Sequence, residues 1–303
     1  MGGTITVFMF HDVRDLSETD YPERYKLKSF LTKKQFESQI DYIDLHYTII
    51  RSYDVFDIDI NDGKHYAILT FDDGLLDHYY VAKYLFDKGI SGTFLVPTRP
   101  ILEHRLVHTH KLQFIQASID DVVLVEDILS NFNDKGVIWD TYSATKWHNN
   151  WWSKEMIFIT NILRKHQDKT FNNYEFTNHL FKKYVTEDEE KFAKDLYLNE
   201  GQLTVMADMG MVIGGHGDTS ENLLLLDDVD ADIKVSSEFI RDYSDIFMFS
   251  YPNGGFNDEI KEVMTKYCCE LAFTVNPMTI TNLDSVDYLE YPRYDAPQKV
   301  ELK

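Results

Sequence analysis

A chain of 303 residues suits one large domain or a domain with a sizeable insertion, and a hydrophobic content of 44% excludes global disorder. The formal net charge of −21 argues against nucleic acid and anionic membrane as partners, because both need a basic surface, and leaves a neutral carbohydrate open. The two cysteines, Cys268 and Cys269, are neighbours; they suit neither a mutual bridge nor a zinc knuckle and read as structural residues.

No apolar run is long enough to span a bilayer, so no integral membrane segment is expected. The start, Met1-Gly2-Gly3-Thr4-Ile5-Thr6-Val7, lacks the basic and long apolar regions of a signal peptide. A cytoplasmic location is therefore expected, in line with sparse cysteine usage.

In chain order, Thr4 to Phe10 is a β-rich apolar run ending in His11-Asp12. Leu31 to His46 has helical spacing at Phe36, Ile40 and Ile43, with Ser29 and Thr32 as candidate caps. Tyr47 to Ile50 reads as a short strand. Ala67-Ile-Leu-Thr-Phe-Asp-Asp-Gly74 reads as a buried strand that ends in two carboxylates and a turn, followed by a helix over Leu75 to Lys88. Gly92 to Val96 is the next strand, ended by Pro97.

From Arg99 to about Tyr197 no strand pattern occurs. Helical spacing is found over Lys111–Ser118, Val122–Phe132, Glu155–Lys165, Tyr174–Tyr184 and Glu187–Tyr197, so residues 99–199 read as a helical insertion. It holds all four tryptophans, Trp139, Trp147, Trp151 and Trp152, suited either to stacking on sugar faces or to the insertion's own core. Alternation then resumes: helix Gln202–Met209, strand Met211–Gly215 ending in His216, helix Val229–Tyr243, strand Phe247–Tyr251 ending in Pro-Asn-Gly-Gly, helix Asn257–Tyr267, strand Leu271–Val275, and a last short strand before Pro292-Arg293-Tyr294-Asp295.

Each of several strands thus ends in a polar cluster: His11-Asp12, Asp72-Asp73, His216, Asn253-Gly254 and Arg293 to Asp295. In a barrel of parallel strands such ends converge on one face. Two acids at the end of a buried strand are costly. Either they cap the next helix, or one binds a metal while the other takes a proton. Asp73 and His216 offer the oxygen and nitrogen that suit zinc or another divalent first-row ion.

Thr70-Phe-Asp-Asp-Gly74 resembles the first motif of the polysaccharide deacetylase family, the NodB-homology group of carbohydrate esterase family 4. In order along the chain, Phe8-Met-Phe-His-Asp-Val13 resembles the family's early strand, Lys88-Gly-Ile-Ser-Gly-Thr-Phe-Leu-Val96 its next strand entry, Met211-Val-Ile-Gly-Gly-His216 the strand of the second motif, and Phe249-Ser-Tyr-Pro-Asn-Gly254 the third. The likeness spans about residues 4–98 and 200–295. It implies a single catalytic domain over residues 1–303, an α/β fold of the distorted (β/α) barrel type with a helical insertion, and hydrolytic deacetylation of a sugar. It further implies Asp72 as general base, Asp73 and His216 as ligands of a divalent metal, zinc with cobalt or nickel as alternatives, and a carbohydrate substrate. A homo-oligomer is compatible with the sequence.

The chain departs from the pattern at three points. Where the family's second motif has its second metal-binding histidine, this chain has Ser220, a poor zinc ligand beside imidazole. His110, or else His108 or Asp218, is a candidate replacement; His110 precedes Lys111, as in family members with a similar insertion. A weak or absent metal, or a binding cleft that has lost its chemistry, are the other readings. Where the third motif has a base-orienting arginine this chain has Ser250, and Arg293, oriented by Asp295, is the candidate substitute. The family's late L-x-x-H is not evident, which leaves His11 or His78 as general acid or as a supporting hydrogen-bond partner. Tyr251, Asn253 and Gly254 are the expected substrate contacts.

Overall fold

The structure is a computed structural model that describes residues 2–27, 30–144, 152–165 and 173–296. It comprises two compact units: Met1–Glu18 with Lys28–Arg105 and Ala193–Lys303, and Thr19–Leu27 with Leu106–Phe192.

Among the described residues the first unit is built on ten strands: β1 (Thr4–Phe10), β2 (Asp12–Val13), β3 (Phe30–Leu31), β4 (Thr48–Ile49), β5 (His65–Asp72), β6 (Thr93–Val96), β7 (Val212–Gly215), β8 (Phe247–Ser250), β9 (Cys269–Phe273) and β10 (Tyr294–Asp295). The main sheet runs β10-β1-β5-β6-β7-β8-β9, with β4 also on β5. Its ladders are parallel. β2 and β3 form a separate two-stranded ladder. A parallel bridge from Phe273 to Tyr291 draws the β9 edge towards the chain that leads into β10. This is a distorted (β/α) barrel.

Strand periodicity decides which residues face inward, because successive side chains alternate faces. Ile5 and Val7 of β1, Ile68 of β5, Leu95, Val212, Met248, Leu271 and Phe273 share one apolar cluster, the barrel interior. Phe8, Phe10, Leu69, Phe71, Phe94, Ile213 and Phe249 belong to the other, between sheet and helices. Continuing the inward parity carries β5 from Ile68 to Thr70 and Asp72, and β8 from Met248 to Ser250. The interior is therefore apolar along its length and polar at the strands' C-terminal end.

The helices cover the outer faces. Lys33–His46 begins at Thr32, whose side chain accepts from the Gln35 amide in a full capping box, and buries Phe36, Ile40 and Ile43 on the helical spacing. The helix after β5 is Asp77–Asp87. The last short strand expected before Pro292 is instead a 3-10 turn, Tyr288–Glu290; pairing with β1 begins only at Tyr294.

The second unit is helical, with Pro22–Leu27 and helices over His108–Ser118, Asp121–Leu129, Lys135–Ser143, Lys154–Lys165 and Asn173–Tyr184. Its bounds differ from the expected 99–199. Residues 99–105 and 193–199 cluster with the first unit, and Thr19–Leu27 joins the second, where Tyr21 packs edge-on against Phe114 and Phe192. Lys111 pairs with Glu189 at 2.8 Å. Trp139 lies against Phe158 with ring centroids 5.1 Å apart, inside the unit's own packing; Trp147 and Trp151 fall outside the described residues. Among the described residues no helix is long and apolar enough to cross a membrane.

Candidate active site

Register brings the strand ends level. Phe10 pairs with Phe71, so His11 and Asp72 leave their strands side by side. Asp72 pairs with Leu95, Val96 with Gly215, Ser250 with Phe273 and Met9 with Asp295. His11, Asp72, His216, Ser250 and Asp295 therefore stand around one rim.

Asp72 is 2% exposed and Arg293 1%. The guanidinium donates from Nη1 to Oδ1 at 2.7 Å and from Nη2 to Oδ2 at 2.8 Å, the bidentate geometry that Arg matches best. Nε donates to the Thr274 carbonyl at 2.9 Å and Nη1 also to Thr70 Oγ1 at 3.2 Å. Burial pushes the Asp72 carboxyl up, but Arg293, His216 and His11 outweigh it and hold it below the ordinary carboxylate range. Asp72 is thus an ionised carboxylate in a fixed plane.

Asp73 turns away from the strand with φ of 80°, a left-handed conformation sparsely populated outside glycine, and Gly74 follows at φ 61°. His216, 5% exposed, sits beyond β7. Its Nδ1 lies 3.0 Å from the Ser250 carbonyl and 2.6 Å from Ser250 Oγ. A carbonyl only accepts, so Nδ1 carries a proton, and in the neutral ring Nε2 keeps a lone pair. That Nε2 is 3.6 Å from Asp73 Oδ1. An imidazole nitrogen and a carboxylate oxygen at this separation are a donor set that suits a divalent first-row ion. The separation is comparable with the span of about 3.3 Å made by two ligands at about 2.05 Å on a tetrahedron.

The loop after His216 is pinned from beneath. Asp232 Oδ1 accepts from the Asp218 amide at 3.0 Å, and its Oδ2 accepts from the amide and hydroxyl of Thr219 at 3.2 and 3.0 Å. Gly217 has φ of 74°, and a Cβ there would sit 2.8 Å from Asp232 Oδ1, so only glycine fits without a shift.

The other sequence candidates fall as follows. Asp295 stands on β10 beside Met9; the Arg293 guanidinium donates to Asp72, Thr70 and Thr274. Asn253 is exposed with φ of 55°, followed by Gly254 at 68°, a tight loop at the rim. Tyr251 is fully buried, stacks on Phe256 at 4.8 Å and donates its hydroxyl to the Leu289 carbonyl. Its backbone carbonyl accepts from the Gly254 amide at 2.9 Å, which ties it to the Asn253 loop.

Asp218 is ion-paired with Arg99. Ser220 is buried with φ of 57°. His108 and His110 are both buried on the His108–Ser118 helix of the second unit. His108 is bound up locally, its Nε2 3.0 Å from the Leu163 carbonyl and its ring against Tyr174. Among the described residues no group of three or more His, Cys, Asp or Glu is placed to hold a metal ion.

Sequence reading missed Thr70, Thr274 and Asp232. The signal for Thr70 was present, since it shares the inward parity of Ile68 and Asp72. Asp232 lies within a helix whose face gives no hint of the loop it holds.

By sequence, the chain matches no family model and no curated protein. By structure it is similar to the Streptococcus pyogenes deacetylase PplD in complex with acetate, at TM-score 0.55 and 14% identity over 97% of this chain and 93% of that one. It is similar also to IcaB from Ammonifex degensii, at TM-score 0.56 and 13% identity over 97% and 92%. A polysaccharide deacetylase from Bacillus cereus gives TM-score 0.54 and 16% identity over 97% of this chain and 65% of that chain. The chain has the fold of the polysaccharide deacetylases.

Proposed function

We propose that this protein is a metal-dependent hydrolase that removes an acetyl group from an N-acetylated (or O-acetylated) sugar, in the biosynthesis of a surface polysaccharide. The observation that carries this reading is the rim itself: an ionised, buried Asp72 fixed by Arg293, beside an Asp73 oxygen and a His216 nitrogen 3.6 Å apart. The fold shared with deacetylases supports it.

Asp73 and His216 would hold the divalent ion, zinc with cobalt or nickel as alternatives, which when bound supplies Lewis-acid polarisation of the acyl oxygen and of water. Asp72 accepts the proton of the attacking water. Its depressed pKa keeps it ionised at neutral pH, and the Arg293 fork keeps its plane from turning. His11, level with Asp72, gives a proton to the leaving nitrogen. The water oxygen bonds to the acyl carbon, the C–N bond breaks, and acetate and an amine leave. Asn253 and Gly254 form a rim loop against which the sugar rests.

A second reading is a degenerate homologue that binds carbohydrate or a biosynthetic partner without turnover. The serine at position 220 and the lack of a third clustered ligand among the described residues favour it. Metal content of the purified protein, read with release of free amine from N-acetylhexosamine oligomers, separates the two. Near-stoichiometric metal that Asp73→Ala and His216→Ala both remove, and amine release that Asp72→Asn lowers by about 10²–10⁴-fold, are expected. No metal uptake from supplied zinc, cobalt or nickel, with oligomers still bound, would leave the second reading standing.

A further inference from the structure

His78 is a buried imidazole for which the reaction above has no use. It lies on the first turn of the Asp77–Asp87 helix, is 0% exposed, and sits against the rings of Phe71 and Phe94, with centroids 5.8 and 5.7 Å away. Its Nε2 is 3.0 Å from the backbone carbonyl of His11. That carbonyl only accepts, so Nε2 carries the proton and Nδ1 is bare. Nδ1 is buried and has no hydrogen-bond partner. Such an orphaned group costs about 1–3 kcal/mol, and a phenylalanine would fill this aromatic surround without it. The one thing the imidazole supplies that a hydrocarbon cannot is the bond to residue 11.

That bond falls where β1 has ended and β2 has not begun, at the residue whose side chain acts electrostatically on Asp72. A second tie lies next to it: Asp77 accepts two bonds of 2.8 and 3.0 Å from Nε of Arg14 and one of 2.8 Å from its Nη2. The first turn of the helix that follows the two acids thus fastens both ends of the segment from His11 to Arg14. Burial lowers the His78 pKa despite the opposing pull of Asp77, Asp12 and Asp73, which keeps the ring neutral and its single proton on the carbonyl.

We propose that His78 is a positioning residue that sets the His11 side chain relative to Asp72 by gripping the His11 carbonyl. For its kinetic consequence this rests on the deacetylase reading; for its structural consequence it does not.

The test compares His78→Phe, which fills the site without a donor, and His78→Gln, which keeps an N–H near the place of Nε2. Both are made in the wild-type and His11→Ala backgrounds. In His78→Phe, kcat for amine release should fall by about 10- to 100-fold with KM unchanged, as expected for a displaced reacting group. The loss should vanish in the His11→Ala background, and His78→Gln should recover most of it. In protein carrying uniformly ¹³C,¹⁵N-labelled histidine, the His11 carbonyl and ring signals should both move in His78→Phe and hold in His78→Gln. Unchanged kcat, an equal loss without His11, or an unmoved His11 ring would each overturn the proposal. Should the wild type show no turnover, the deacetylase reading fails, and the ring signals decide this proposal alone. Should His78→Phe not fold, His78→Gln decides it: an unmoved His11 ring supports the grip, and a moved ring with the donor retained refutes it.

Discussion

Arg293 and Asp72 are 221 residues apart in the chain and joined by two bonds of 2.7 and 2.8 Å at the polar end of the barrel interior. Neither partner reaches water. A buried pair of this kind is strongly destabilising to break from one side, because the remaining charge has no solvent to turn to. Arg293→Ala is therefore expected to cost about 3–5 kcal/mol, read by chemical denaturation. Arg293→Lys keeps the charge but not the fork. It should cost less stability and still lower kcat by at least about tenfold, because a point charge does not fix the carboxylate plane. Full activity in Arg293→Lys would show that the plane of Asp72 is irrelevant.

Ser250 occupies the place where the resemblance leads one to look for an arginine, and its hydroxyl lies 2.6 Å from His216 Nδ1 and 3.4 Å from Asp72 Oδ1. One small group thus touches both His216 and Asp72. Ser250→Ala removes it but leaves the Ser250 carbonyl on Nδ1, so the tautomer of His216 is kept. The expected cost is about 1 kcal/mol of stability, the net worth of an ordinary hydrogen bond. A loss of kcat of a few-fold should accompany it, with metal affinity nearly unchanged. A collapse of metal affinity would mean that the hydroxyl, not the carbonyl, orients His216.

How far the site could be read from the sequence depends on the kind of relation involved. Asp72, Asp73 and His216 were legible because strand ends and local motifs are short-range patterns. Arg293 was legible as a strand-end residue, yet its two bonds to Asp72 follow only from the closing of the sheet through β10 and β1, a long-range event without a spacing of its own. The burial of the Tyr251 side chain was not legible for a related reason: an aromatic beside a turn is written the same way whether it faces solvent or the core. The helical unit's bounds shifted because Thr19–Leu27 is charged and irregular, and only the packing of Tyr21 on Phe114 and Phe192 assigns it.

The His216 loop makes a prediction about a glycine with a built-in control. Gly217 and Gly210 have φ of 74° and 81°, but a Cβ on Gly217 would meet Asp232 Oδ1 at 2.8 Å whereas one on Gly210 would meet nothing within 4 Å. Both alanine variants carry the left-handed backbone cost of about 1–2 kcal/mol. Only Gly217→Ala should also displace the carboxylate that holds the Asp218 and Thr219 amides, weakening metal binding by about 10–100-fold as outer-shell changes do. Zinc titration by calorimetry reads this directly. Equal affinities for the two variants would mean that Asp232 does not govern the His216 loop.

The two histidines of Val107-His-Thr-His-Lys111 are expected to behave differently. His108 Nε2 donates to the Leu163 carbonyl and its ring packs on Tyr174. His108→Ala removes one of two donors to that carbonyl, which keeps its bond from Asn173 Nδ2 at 3.0 Å, so a loss of about 1 kcal/mol is expected, with zinc affinity unchanged. His110→Ala is the variant in which the sequence resemblance anticipates a loss of zinc affinity. The pair separates a ligand from a structural residue on the same helix, since melting temperature and calorimetric affinity move independently. If both variants bind zinc like the wild type, Asp73 and His216 are the protein's ligands at this site, and water or substrate completes the ion's coordination.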